Sequence, residues 1–304
     1  MIELQYYLST LPDGLIYGLL AMGIYISLRI LDIPDLTTEG SFAFGVAVSA
    51  VMAKAGHPYL GLLLSIVAGI AAGCFTGLLQ TKLKIHPILA GIITMSGLYS
   101  INLGVMHNSP NLTLLNTRTI FTDFRNLMPG VDKEIVKIII IAVIAIAVVV
   151  LLSLFFKSHF GLCIRATGDN QDMLSASSVN VNITKIAALG LGNACIALSG
   201  GLTAQYQSFA DVNSSVGMLV VGLASVIIGE AIFGRRSVTI GFISAIVGSI
   251  IYRAIIAVTT RYNIFPSYMF KLVAAVIVIA ALAIPVIKES VRKAKIKRGG
   301  HKDA

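Results

Sequence analysis

Two polar stretches interrupt an otherwise greasy chain and carry most of its candidate chemistry. RILDIPDLTTEGS, Arg29 to Ser41, contains Asp35, Thr37, Thr38 and Glu39. QYQSFADVNSSVG, Gln205 to Gly217, contains Asp211, Asn213, Ser214 and Ser215. Carboxylates, hydroxyls and a carboxamide clustered this way can hold a polar solute by charge and hydrogen bonds. They do not make a catalytic set. The histidines (His57, His86, His107, His159, His301) fall far apart, in or near loops. Cys74, Cys163 and Cys195 form no CxxC pair and have no His at ligand spacing. We therefore expect no metal site and no disulfide, and read these cysteines as small buried hydrophobes. No G-x-x-x-x-G-K-[ST] loop is present to cradle nucleotide phosphates, so no cofactor is expected on this chain.

A third polar stretch, GLCIRATGDNQDMLSASSVNVN, Gly161 to Asn182, sits between two of the most apolar segments. Gly168 can take the left-handed conformation that ends one element. Asp169 or Asn170 can cap the next, with Asp172 near its positive end. Met173, Leu174 and Ala176 give a helix of about two turns a small apolar face. A helix that short is not stable alone, so a cleft in a partner or the headgroup layer must hold it.

The elements that position these stretches are membrane spans. The chain has 56% hydrophobic and 12% charged residues, with a mean hydropathy of +0.88; soluble domains average about 25% charged. Its apolar blocks are long enough to cross about 30 Å of hydrocarbon. About nine spans are read, at roughly 12–31, 41–55, 59–81, 87–106, 135–156, 182–203, 216–233, 238–257 and 268–287. The fold expected is an all-α polytopic membrane protein with a single transmembrane domain over 1–304. Met1 to Asp13 lacks a basic start and a cleavage site, so the first span is expected to do the targeting.

The net charge of +9 raises nucleic acid as a partner, but its placement argues against that. Much of it lies in short loops and in the basic tail 288–304, the pattern that marks the cytoplasmic side. Counting back from that tail puts Arg235–Arg236, the Lys157–Arg165 segment and Lys82–Lys84 on the same side. The N-terminus is then outside. The tail also suits anionic headgroups.

The helices carry features of close packing. Gly69, Gly73 and Gly77 recur every four residues on the third span, letting a neighbour approach where lipid offers no hydrophobic drive. The two polar interruptions then occupy matching places. DLTTEG (35–40) and DVNSSVG (211–217) share an Asp, a hydroxyl pair and a closing Gly. Pro34 disfavours helix at Ile33, and Asp35, Thr37 or Thr38 can cap a restarted helix. Four spans, a long fifth, then four more would make an inverted 4+1+4 repeat. Paired polar breaks in two inverted halves point to a transport pathway, where free N–H groups suit a carboxylate or a sugar oxygen. The alternative is a pair of ordinary surface loops. Asn102, Asn193, Tyr25, Thr94, Ser96 and Tyr99 also lie within spans, as helix cross-links or as pathway groups. Arg253 and Lys271 are placed to snorkel or to gate. Glu230 is expected to balance Arg235 or Arg236, or to cap backbone near the membrane face.

The stretch 161–182 resembles the cytoplasmic signature of ABC importer permeases of the branched-chain amino acid and ribose type (binding-protein-dependent transport permease type 2). Gly161, Arg165-Ala166, Gly168, Asn170, Ala176 and Asn180 match it, while Ser178 stands where the family usually has Gly. GLIYGLLAMGIYISL (14–28), DLTTEGS (35–41), GGLTAQYQ (200–207) and IIGEAIFGRRSVTIGFISAIVGSIIY (227–252) follow in the family's order. The Gly-Glu-Ala and Gly-Arg-Arg-Ser elements look most like a subgroup associated with tryptophan and tyrosine uptake.

The resemblance implies a type II ABC importer-like fold in a bacterial plasma membrane. It implies that 161–181 is a coupling segment seated in a separate ATPase subunit, through Arg165, Gly168, Asn170, Asp172, Met173, Leu174 and Ala176. ATP and Mg would be bound by that ATPase. A substrate-binding lipoprotein or periplasmic protein would dock outside, and a second permease copy would complete the pathway. An amino acid is the implied solute, with a nucleoside or sugar as the alternative. A proton- or sodium-coupled transporter using Asp35 and Glu39 is the rival from another class, and an intramembrane enzyme lacks a catalytic set within the spans.

Overall fold

A computed structural model describes residues 2–127, 130–234 and 237–261, with isolated helical positions at 272, 275, 276, 279 and 283. Most of the expected ninth span, the tail 288–304, Arg235–Arg236, Lys271 and His301 lie outside the described residues. The other eight apolar runs are all helical. In chain order they are α1 (Ile2–Tyr25), α2 (Thr38–Lys54), α3 (Pro58–Thr81), α4 (Pro87–Val105), α6 (Lys133–Lys157), α9 (Val181–Gln207), α10 (Met218–Phe233) and α11 (Val238–Arg261). Shorter helices α5 (Ile120–Leu127), α7 (His159–Asp169) and α8 (Gln171–Ala176) fill connections. Among the described residues seven helical segments are long and apolar enough to cross a membrane. Helix α2, at 17 residues, is the one expected span that falls short of that length.

The all-α expectation needs one small amendment. Strands β1 (Asn111–Thr113) and β2 (Phe209–Asp211) pair antiparallel, Leu112 opposite Ala210, at the end of the bundle away from α7 and α8. Gln205 ties that end together. Its Nε2 donates to Ser49 Oγ (3.0 Å) and to the Pro58 carbonyl (2.9 Å), and its Oε1 accepts from Ile120 N–H (3.1 Å).

Helices α1 and α9 form the centre and run antiparallel. Ser199 Oγ donates to the Ile16 carbonyl, while Gly23 faces Gly192 and Ile196. Around this pair the packing repeats. Helix α3 lies along α9 as α11 lies along α1, and α2 touches both α3 and α9 as α10 touches both α11 and α1. The expected glycine stripe is where α3 meets α9: a Cβ on Gly69 or Gly73 would come within 2.3 or 2.2 Å of the Asn193 or Leu189 carbonyl oxygen. Small residues thus bring backbones together where apolar burial supplies no preference over lipid.

Candidate functional site

The first interruption breaks the chain in two steps. Helix α1 passes into a π turn, Ile26–Ile30, and residues 31–37 then form an irregular, non-helical connection that ends in a turn at 36–37. Along that connection Leu31, Ile33, Asp35 and Thr37 are buried while Asp32 and Pro34 are exposed. Asp32 takes φ 55°, a left-handed conformation that Asp tolerates.

The two interruptions share internal geometry. Asp35 Oδ1 accepts from Thr37 N–H (2.9 Å), and Thr38 Oγ1 donates to the Asp35 carbonyl (3.0 Å). Asp211 Oδ1 accepts from Asn213 N–H (2.8 Å), and Ser214 Oγ donates to the Asp211 carbonyl (2.6 Å). Each Asp therefore closes an Asx turn from which a shortened helix, α2 or α10, departs. The side-chain cap of α2 is Asp35; Thr37 makes no cap bond of its own. In the second break a short 3₁₀ turn, Val212–Ser215, and Gly217 at φ 93° lead into α10.

The breaks also meet each other. Glu39 Oε1 accepts from Gly217 N–H at 2.8 Å, across 178 residues of sequence. Counting 1.5 Å per residue along α10, this junction sits about 24 Å from Phe233, well inside the bundle. Beside it lies a cavity of about 390 Å³ lined by Glu39, Asn102, Asn213, Ser215, Met95 and Tyr99, with Gly40, Ser96 and Val216 among the rest. Asn102 Nδ2 approaches the Gly40 carbonyl (3.5 Å), and its buried Oδ1 has no partner among the described residues. A larger cleft of about 600 Å³ between α3 and α6 is walled by aliphatic and aromatic side chains and offers a polar solute almost nothing.

The predicted pathway residues thus divide. Glu39, Asn102, Asn213 and Ser215 line one cavity. Asp35, Thr37 and Thr38 are buried beneath it in a network. Asp35 Oδ2 accepts from Asn193 Nδ2 (2.7 Å), and hydroxyls of Thr37, Thr76 and Thr94 link in series at 2.8 and 3.0 Å. Asp211 and Ser214 are spent on the turn. Asn193, Thr76 and Thr94 complete the network only through tertiary contact. As ordinary-looking polar residues in separate spans, they carry no local mark of it.

At the other end, Asn170 is the cap of α8: its Oδ1 accepts from Met173 N–H (3.0 Å) at φ −159°. Gly168 departs from expectation. It is helical within α7, not left-handed. Its lack of a side chain seats α7 on the π turn, since a Cβ there would lie 2.0 Å from the Ile30 carbonyl oxygen. Ser178 instead takes the left-handed position, at φ 60°. The expected apolar face of α8 also splits: Leu174 is buried as a peg, while Met173, Asp172 and Ala176 face outward, Met173 being 64% exposed. Arg165 lies on α7, lining a polar recess with Arg29, Asp169 and Glu230. Within it Glu230 pairs with Arg29 (2.8 Å), joining the ends of α10 and α1; its expected partners Arg235 and Arg236 lie outside the described residues. Arg253 is likewise paired, with Asp13 (2.9 Å), and lies over the Tyr17 ring.

Comparison with known proteins bears on the same chain length. The family described as branched-chain amino acid transport system / permease component matches residues 6–282. The tyrosine transport system permease protein of Clostridioides difficile is 35% identical over 291 residues, 95% of each chain. The galactofuranose transporter permease protein of Escherichia coli is 28% identical over 259 residues, covering 82% of this chain and 71% of that protein. The ribose import permease protein of Bacillus subtilis is 26% identical over 237 residues, 77% of this chain and 71% of its own. No solved structure matches the chain.

Proposed function

The chain belongs to the branched-chain amino acid transport system / permease component family, and we propose that it is the membrane subunit of an ATP-driven importer for an amino acid. It is a transport subunit rather than an enzyme. In this reading α8 docks in a separate ATPase that binds ATP and Mg, with the α8 end cytoplasmic and the N-terminus outside a bacterial plasma membrane. A substrate-binding lipoprotein or periplasmic protein delivers solute at the β1–β2 end, and a second copy of the chain completes the translocation path. An amino acid, with an aromatic one foremost, is favoured by the extent of similarity to the tyrosine permease.

One observation carries the mechanism: Gly168 seats the α7–α8 unit on the Ile30 carbonyl. From Ile30 a non-helical strap of residues 31–37 leads directly to Glu39 and the cavity. Thr167 Oγ1 also bonds to Thr184 Oγ1 (2.7 Å), so α7 moves with α9 as well. A pull on α8 is thereby delivered to the strap and to the central helix together. Alternating access follows if the strap shifts Glu39 relative to Gly217, opening the junction toward one side and then the other.

The test is Ala176→Arg in the complex with its ATPase. Ala176 is exposed, so the fold tolerates the change while a bulky charge blocks the docking cleft. Loss of ATPase co-purification and of nucleotide-driven uptake in proteoliposomes is the expected result. Normal uptake would sink the coupling assignment. The galactofuranose and ribose permeases among the relatives keep a sugar or nucleoside as the second reading, decided by which solutes accumulate. Uptake driven by a proton gradient without any ATPase would instead indicate a secondary transporter.

A further inference from the structure

We infer that the Glu39–Asn102 cavity takes its solute by a primary ammonium group, held between the Glu39 carboxylate and Asn102 Oδ1. The inference rests on the transport reading above and specifies the solute chemistry at that site.

The charge pattern of the cavity is one-sided. Among its lining residues Glu39 is the sole ionisable acid, and no Lys, Arg or His is present. Oε1 of Glu39 is occupied by Gly217 N–H, while Oε2 has no hydrogen-bond partner among the described residues. The Glu39 carboxylate is part-buried at the cavity wall, and a neutral hydroxyl does not cancel its charge. An ammonium does.

A second observation points the same way. Asn102 is 1% exposed, lines the same cavity and has an unpartnered Oδ1. Its Nδ2 approaches the carbonyl of Gly40, the residue following Glu39, so the two side chains flank one point of the wall. A buried acceptor without a donor calls for an N–H. An ammonium has three, enough for Glu39 Oε2 and Asn102 Oδ1 together. Ser96 and Asn213 present exposed side-chain donors on the same lining, with no side-chain hydrogen bond among the described residues. They suit the carboxylate end of an amino acid, while Met95 and Tyr99 offer a wall for its side chain.

The experiment uses the permease–ATPase complex in nanodiscs, without a binding protein whose own selectivity would intervene. Binding of L-tyrosine, tyramine, 3-(4-hydroxyphenyl)propionate and D-ribose is read by saturation-transfer NMR. Tyrosine and tyramine should bind, and the two probes lacking an amine should bind about tenfold more weakly or worse. Glu39→Gln should weaken both amines by about tenfold or more. Asn102→Asp, which keeps the shape and adds a second carboxylate, should tighten tyramine severalfold, so the result does not depend on how well the Glu39 variant folds. Equal binding of the des-amino acid or ribose, failure of both amines to bind, or indifference to both substitutions would overturn the inference. Nucleotide-driven uptake with no preference for amines removes this inference and leaves the importer standing. An ATPase that never assembles removes the importer, while amine binding is still read on the permease.

Discussion

Replacing Gly168 by alanine probes the seat between the protruding α7–α8 unit and the broken first helix. The new Cβ would stand 2.0 Å from the Ile30 carbonyl oxygen and 2.9 Å from its carbon. Carbon–oxygen contacts close at about 3.3 Å even in their tightest regular form, so α7 must withdraw by about 1 Å. Two opposing terms set the outcome. In an unobstructed helix, Gly to Ala gains about 1 kcal/mol, whereas forced overpacking costs about 1–3 kcal/mol. Here the obstacle is backbone at both contacts and has no rotamer to change, so the clash prevails and the variant is destabilised. The outward face of α8 is unaltered, and the ATPase should still bind. What fails is transmission: nucleotide hydrolysis continues while solute uptake per hydrolysed nucleotide falls. Uptake and phosphate release measured in parallel in proteoliposomes, together with unfolding of the detergent-solubilised permease, give both readouts. A variant more stable by the ordinary helical gain, with unchanged uptake, would refute the seat. Gly168→Asn separates the two geometries further, since a left-handed cap accepts Asn, whereas the helical seat makes it worse than alanine.

Three other substitutions follow from the structure. Ser178→Gly removes a left-handed serine at the exit of α8 and should raise stability by up to about 1 kcal/mol; no gain on unfolding would mean that this turn is not strained. Asp35→Leu strands Thr37 N–H and removes one of the two acceptors of Asn193 Nδ2, which keeps the Leu189 carbonyl, and should cost about 1–3 kcal/mol. Asp35→Asn should recover much of that and transport nearly as wild type, whereas Glu39→Ala should change transport without releasing the ATPase; matching transport defects in both would place Asp35 on the solute path. For Asp13 and Arg253, a double-mutant cycle should show coupling of about 1–3 kcal/mol, since the 2.9 Å pair joins α1 to α11; additive single effects would argue that Arg253 simply reaches toward water.

By itself the amino-acid sequence determined the membrane class and the position of every described span, because about twenty apolar residues in a row have few other uses. It also determined both breaks, which Pro34 and the Asp-plus-hydroxyl pattern announce locally, and the Asn170 cap, which needs only residues 170 to 173. Local chemistry has local signatures. The tertiary structure alone decided that the breaks join through Glu39 and Gly217, that Asp35 turns inward to Asn193 while Glu39 faces the cavity, and that Glu230 pairs with Arg29, 201 residues away. It also decided that Gly168 is a point of contact and Leu174 a peg. In each case the partner is brought near by helix packing, and a residue's type says what it can bond but not which neighbour the packing will supply.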